Sequence, residues 1–414
     1  MFKNKKRAAV FAVVITIVLF VGNWFYCNNP FNPYYKVKNL RNLPEGTPVY
    51  IGDNKLFFAG SYSGYYSENK KDEKITCASI YDIKKQKNTP LNACMSVPRS
   101  YYIPILLDSN RILVLGGIGK DTTEYNVSKV AEIYDIKENK FRRIEDSYNN
   151  YRYTLNSNNI LKFDKNNIVI YKRAAIDIFD PVKEKFRPIN EIKISDKYLD
   201  IGTILPYKPD KLLIYGYKSN LPETYDWRDT SIYTFYYNMK TGKFSEPTKV
   251  SYPKYLNKYF GPKVKYGGSD LTRASFDWQS VKIDGKTKVL FCNTQAECNI
   301  QKCFLIDTKT NHIEETAPMN NYRYGAYSVK KWNYIFVYGG KKREYLYIPP
   351  LSVYTIYKDI KEIEMFDTKK QTWRARGRLP AAYKNQGGTS ILKIYGNESS
   401  DVFLINRRLF IFKI

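Results

Sequence analysis

The chain of 414 residues sets 67 Lys and Arg against 40 Asp and Glu, a formal charge of +27, and contains 16% aromatic residues but one histidine. Its aromatic content excludes a disordered chain. Its single histidine excludes a zinc site built from paired Cys and His spacings and leaves almost nothing for histidine-based nucleophilic catalysis. The positive balance suits an anionic partner, yet Lys here accompanies Asn, Ile and Tyr, the residues of AT-rich codons. The basic residues are also scattered, with no long run of the kind nucleic-acid-binding arms show, so no nucleic-acid partner is expected.

Residues 1–7 include Lys3, Lys5, Lys6 and Arg7, and residues 8–26 read AAVFAVVITIVLFVGNWFY with no charge. A run of about 20 apolar residues is what a helix needs to cross the hydrocarbon core. The basic flank keeps the preceding end cytoplasmic, so Cys27 onward is expected outside the cytoplasm. Trp24, Phe25 and Tyr26 suit the far interface. A cleaved leader would need small residues just after the apolar stretch, whereas the text there is NWFYCN. The expected organisation is a cytoplasmic N-terminus at 1–7, a single transmembrane helix at 8–26, a linker at 27–34 and one folded domain at 35–414. The protein is expected to be a single-pass membrane protein with that domain in the periplasm or outside the cell.

From there a unit recurs. Six times an apolar or aromatic residue precedes Asp or Asn and a polar turn: Tyr81-Asp82, Tyr134-Asp135, Phe179-Asp180, Tyr237-Asn238, Ile306-Asp307 and Phe366-Asp367. In five of them the residue seven positions after the first is again large: Phe141, Phe186, Phe244, Ile313 and Trp373. The spacing predicts a hairpin whose two large side chains meet across the turn. Upstream lie β-rich runs ending in Gly, such as KLFFAG, RILVLGG, KLLIYG and NYIFVYGG, and before them a further alternating segment. Each unit therefore holds about four short strands, and four-stranded units repeated around an axis are propeller blades.

The text MSVPRSYYIPILLDSNRILVLGG followed by VAEIYDIKENKF resembles the kelch repeat, as does NYRYGAYSVKKWNYIFVYGG followed by EIEMFDTKKQTW. The resemblance extends over about residues 35–414. Blades three and five depart from it, with Tyr171-Lys172 and Cys292-Asn293 where two Gly belong. The expected fold class is all-β, a kelch-like β-propeller of seven blades with six as the alternative. SDVFLINRRLFIFKI supplies part of a last blade, and residues near Tyr35 to Leu40 supply its outermost strand, which closes the ring and removes an open edge. In kelch proteins the loop entering the first strand often carries Arg towards the channel mouth. By that resemblance Arg99, Arg152, Arg273 and Arg323, with Tyr101, Tyr153 and Tyr324 nearby, could bind an anionic ligand through guanidinium forks. The competing reading is that these Arg residues tie one blade to the next.

Cys77 and Cys94 flank one hairpin-sized interval, and Cys292, Cys298 and Cys303 cluster near another, so disulfides are plausible at both places in an oxidising compartment. A copper site of the galactose-oxidase kind, also built on kelch blades, needs two His and a Tyr–Cys cross-link. His312 stands alone, in the turn of blade five. No metal and no cofactor are expected, and catalytic residues stay unknown. Asn126 and Asn397 head sequons, which count only in a host that glycosylates exported proteins. Two long inserts, Asn220–Ser231 and Lys341–Lys361, are rich in aromatic residues and suit interfaces. The reading that results is a membrane-anchored binding module for a protein or an anionic glycan, with a sugar isomerase or mutarotase acting on an acidic sugar as the alternative.

Overall fold

The computed structural model describes most of residues 35–413; the longer breaks fall at 63–73, 120–127, 145–159, 220–226, 259–263, 266–272 and 380–390, with shorter ones between. The apolar segment 8–26 lies outside the described residues. Among the described residues no helix is long and apolar enough to cross a membrane.

The described chain is all-β and folds as successive antiparallel sheets, seven of which hold four or more strands. In unit 1 the strands are Pro48–Gly52, Lys55–Phe58, Ser79–Asp82 and Lys87–Pro90, hydrogen-bonded in that order. Unit 2 repeats the plan with Ile103–Leu106, Arg111–Leu115, Glu132–Asp135 and Lys140–Arg143, and unit 6 with Tyr327–Lys331, Tyr334–Tyr338, Glu362–Asp367 and Thr372–Arg378. Units 3, 4 and 5 are centred on the strands Asn167–Lys172, Lys211–Ser219 and Lys286–Gln295. In unit 7, Ile391–Gly396, Ser400–Ile405 and Arg408–Lys413 are joined by Tyr35–Asn39, which pairs in the register Tyr35↔Phe412 to Asn39↔Arg408. The N-terminal strand thus covers what would be the open edge of the last sheet. The arrangement is consistent with a propeller-like fold.

The second strand of each unit reads as a continuous apolar run because both its faces are covered. Ile112 and Val114 pack towards unit 1 while Leu113 and Leu115 pack towards unit 3. Leu212 and Ile214 likewise face unit 3, and Leu213 and Tyr215 face unit 5. Leu40 and Leu43, just after the closing strand, pack on Leu56, Phe58 and Tyr81 of unit 1. Each large side chain so buried is worth roughly 1.5–3 kcal/mol relative to exposure, so the core is a chain of inter-unit layers.

The recurrent Asp is a turn builder. The Oδ1 of Asp82, Asp135, Asp180, Asn238, Asp307 and Asp367 accepts the backbone N–H groups two and three residues on, at 2.8–3.2 Å. Four residues after each of these, the chain turns through the left-handed region: Gln86, Asn139, Glu184, Gly242, Asn311 and Gln371 have φ of 52–68°. The expected cross-turn pairs are register partners, Tyr134↔Phe141, Phe179↔Phe186, Tyr237↔Phe244, Ile306↔Ile313 and Phe366↔Trp373. The four aromatic pairs meet in tilted contacts at centroid separations of 4.8–5.1 Å. Trp373 also donates its indole N–H to Ala317 O at 3.0 Å, fastening unit 6 to the segment that enters it.

Candidate functional site

Antiparallel order puts two kinds of connection at opposite ends of every sheet. The turns between first and second strands and between third and fourth strands lie at one end, and all are short. At the other end lie the connections from second to third strand and from unit to unit, and these carry extra structure. Ser61–Tyr62 pairs with Ile75–Thr76, Ile118–Gly119 with Arg99–Ser100, and Trp227–Arg228 with Val264–Lys265. Lys341–Ile348 pairs with Ser352–Asp359 over eight residues, so the insert expected as a loop at 341–361 is an extended two-stranded ribbon. The ribbon end is also where Arg99, Arg273 and Arg323 fall.

The structure places Arg99 and Arg323 inside the protein, each with no exposed side-chain surface. Arg99 Nη2 lies 3.0 Å from Glu132, and Arg323 Nη2 lies 2.6 Å from Glu364. Arg323 Nη1 also donates to Gly339 O and Glu362 O at 2.9 and 2.8 Å. Each glutamate in turn grips the backbone two or three residues ahead of its arginine. Glu132 accepts the N–H of Ser96 at 2.7 Å, and Glu364 accepts those of Asn320 and Asn321 at 2.6 and 2.9 Å. The result is a closed box, repeated in units 2 and 6, that holds the incoming chain to the second and third strands. The sequence signal for the glutamates was a carboxylate three residues before the turn Asp, in EIYD and EMFD. Asp177 occupies the same place in unit 3 and is fully buried.

The other predicted residues fall in different settings. Tyr101 is 45% exposed and has φ of 59°, whereas its neighbour Tyr102 is buried. The Tyr102 hydroxyl donates to Gly60 O at 2.8 Å and accepts the Ala59 N–H at 3.0 Å, joining units 1 and 2, and burial raises its pKa well above the ordinary tyrosine range. Ser100 reinforces that joint by donating to Tyr62 O and accepting from Tyr62 N–H, at 2.7 and 2.9 Å. Arg273 lies in the short strand Arg273–Ala274, paired with Asn293 and Thr294. Arg152, Tyr153, Tyr324 and Cys298 lie outside the described residues, as does most of the 220–231 insert. Cys77 is bonded to Cys94, and Cys292 to Cys303, the latter pair facing each other across adjacent strands.

His312 begins the last strand of unit 5, is exposed, and has Nδ1 3.0 Å from the Ser251 hydroxyl. Among the described residues no three His, Cys, Asp or Glu side chains gather as a metal site.

At the turn end, Trp332 is 53% exposed and sits with φ of 48° in the turn between the first two strands of unit 6. The matching turns of units 1 and 5 have Asp53 and Asp284 there, both with φ of 49°. Holding a bulky side chain in that region costs roughly 1–2 kcal/mol. Neither packing nor turn chemistry in the structure explains the choice of Trp.

No family model matches the chain. No curated protein matches it in sequence. Among solved structures it is similar to a fungal alcohol oxidase of the AA5 family, solved in complex with copper, with a TM-score of 0.50 and 11% identity over 92% of this chain and 76% of that one. A likeness at this identity supports the fold alone.

Proposed function

We infer that the seven sheets are the blades of a kelch-like propeller, anchored by the apolar segment 8–26 and held outside the cytoplasm as a binding module. Its partner is a protein or an anionic glycan, bound at the ribbon end. The observation that carries this reading is the asymmetry between the ends: among the described residues one has tight turns, and the other bears four added ribbons, one of them eight residue pairs long. The longest ribbon, Lys341–Ile348 with Ser352–Asp359, adds paired backbone at that end over eight residue pairs, which suits recognition. An acid-sugar isomerase would draw on arginines open at the mouth, and Arg99 and Arg323 are instead spent on Glu132 and Glu364. The binding reading is therefore preferred.

The test uses the full chain in detergent, screened against acidic and neutral oligosaccharides with each hit titrated against salt. A variant in which residues 342–358 are replaced by a short Gly linker serves as the comparison. Saturable binding to one acidic sugar that survives about 0.3 M salt, where charges are screened beyond a few ångströms, and is lost in the ribbon variant supports the glycan partner. Weak binding to every polyanion, gone at that salt and unchanged by the ribbon deletion, defeats it and leaves the protein partner.

A further inference from the structure

Unit 7 tells where the chain enters. Its third strand ends at Lys413, and Tyr35, the first residue of the closing strand, pairs with Phe412 beside that end. The third strand of every unit runs towards its Asp-headed turn, so the chain arrives at Tyr35 from the turn end. The ribbons lie at the opposite end. Residues 27–34 can span at most about 28 Å when fully extended, so a bilayer anchor at 8–26 keeps the turn end close to the membrane.

That end has the chemistry of a surface that meets anionic lipid. Each Asp- or Asn-headed turn of units 1 to 6 carries exposed lysine: Lys84, Lys137, Lys183, Lys240, Lys309 and Lys369. The lysine stands two residues after the Asp or Asn in five of these turns. In the remaining one that place is taken by Val182, 70% exposed, with Lys183 next to it. Trp332, 53% exposed, occupies a turn at the same end, and Tyr207, 43% exposed, lies near that end of the strand Lys197–Lys208 with its ring 4.8 Å from that of Tyr236. Lysine heads with exposed aromatic and aliphatic side chains among them are what an interfacial surface presents to headgroups and to the acyl boundary. Trp332 fits this use well: the backbone conformation it strains is filled by Asp in two sister turns, and its ring stands in solvent.

We propose that the turn end docks on the anionic face of the bilayer in which the chain is anchored, with the lysine turns on the headgroups and Trp332 and Val182 at the interface, and presents the ribbon end away from the membrane. The proposal rests on the anchored reading given above and adds to it an orientation and a lipid preference. It also accounts for part of the +27 charge without any soluble polyanion.

The experiment reconstitutes the full chain into vesicles of phosphatidylcholine alone or with about one-third phosphatidylglycerol. An amine-acetylating reagent is added, and reaction at each lysine is followed by mass spectrometry. Docking predicts that Lys84, Lys137, Lys183, Lys240, Lys309 and Lys369 react roughly five-fold more slowly in the anionic vesicles, the factor expected from the attraction of one lysine to an anionic leaflet. Lys74 and Lys129, at the ribbon end, should react equally in both. Trp332→Asp should keep or raise the melting temperature while reducing that protection; a melting temperature that falls would mark Trp332 as structural and count against its interfacial role. Equal reaction at the two ends, or protection at Lys74 and Lys129 instead, overturns the proposal. An alkaline wash separates the two readings. A chain that stays with the vesicles but shows no turn-end protection refutes docking and leaves the anchor standing. A chain that washes out refutes the anchor, and lysine protection measured before the wash still decides docking.

Discussion

Asp82 and Asp135 sit at the heads of turns where their largest influence is a backbone N–H, from Lys85 and Glu138 respectively, and both carboxyls are held below the ordinary aspartate value of 3.8. For Asp307 and Asp367 burial pushes upward, but the amides of Thr310, Lys309, Lys370 and Lys369 outweigh it, and these pKa values also fall. A carboxyl depressed on folding adds stability above its unfolded pKa, and that stability disappears as pH drops through the folded value. The urea midpoint should therefore hold from neutral pH to about 4 and decline below it, with a shallower decline in Asp82→Asn. Arg323→Ala addresses a different residue-scale question. It strands Glu364 as a buried charge, and the expected loss is about 3–5 kcal/mol in urea unfolding; an unchanged midpoint would overturn the structural role assigned to the box. At the turn Gln371, Gly should relieve the left-handed strain and gain roughly 0.5 kcal/mol net of unfolded-state entropy. The turn Asp and its cross-turn partner were legible in the sequence because both are local, fixed by spacing within one hairpin. Glu132 and Glu364 were not read as partners of Arg99 and Arg323, because the two halves of each box lie 33 and 41 residues apart and only the sheet brings them together.

The strand Tyr35–Asn39 is held by five register partners along Arg408–Lys413. At about 0.2–1 kcal/mol per cross-strand pair, deleting residues 35–39 should cost about 1–5 kcal/mol and expose an edge prone to association, visible as a lower melting temperature and concentration-dependent light scattering. This element was legible from the likeness of YYKVKNLRNLP to the last strand of unit 6, TWRARGRLP. The ribbon Lys341–Ile348 with Ser352–Asp359 was expected only as a long loop, since alternation in KKREYLYI is blurred by apolar residues of both parities. Without a clean period of two, such strands leave little trace in the text.

Among the described residues the molecule is held by layers between units and by two cross-links of unequal access. Cys94 is exposed, whereas Cys292 and Cys303 have no exposed surface and lie in the layer between units 5 and 6. A mild reductant should open Cys77–Cys94 first, with Cys292–Cys303 surviving until the chain unfolds, as alkylation and mass spectrometry would show. Loss of each should cost about 2–4 kcal/mol. Ions add to the layers at the turn end, where Glu184 of unit 3 meets Arg111 and Arg142 of unit 2. Burial pushes the Glu184 carboxyl up, but the two guanidinium groups outweigh it and hold it low. The pairing of Tyr35–Asn39 with Arg408–Lys413 has one more consequence, for synthesis. The strand Tyr35–Asn39 leaves the ribosome some 370 residues before the strand it must join. Every shorter length therefore carries an unpaired edge on that sheet, which can be covered only once Arg408–Lys413 has emerged. Stalled or shortened products would keep that edge open and sticky, the form of the chain most in need of a chaperone.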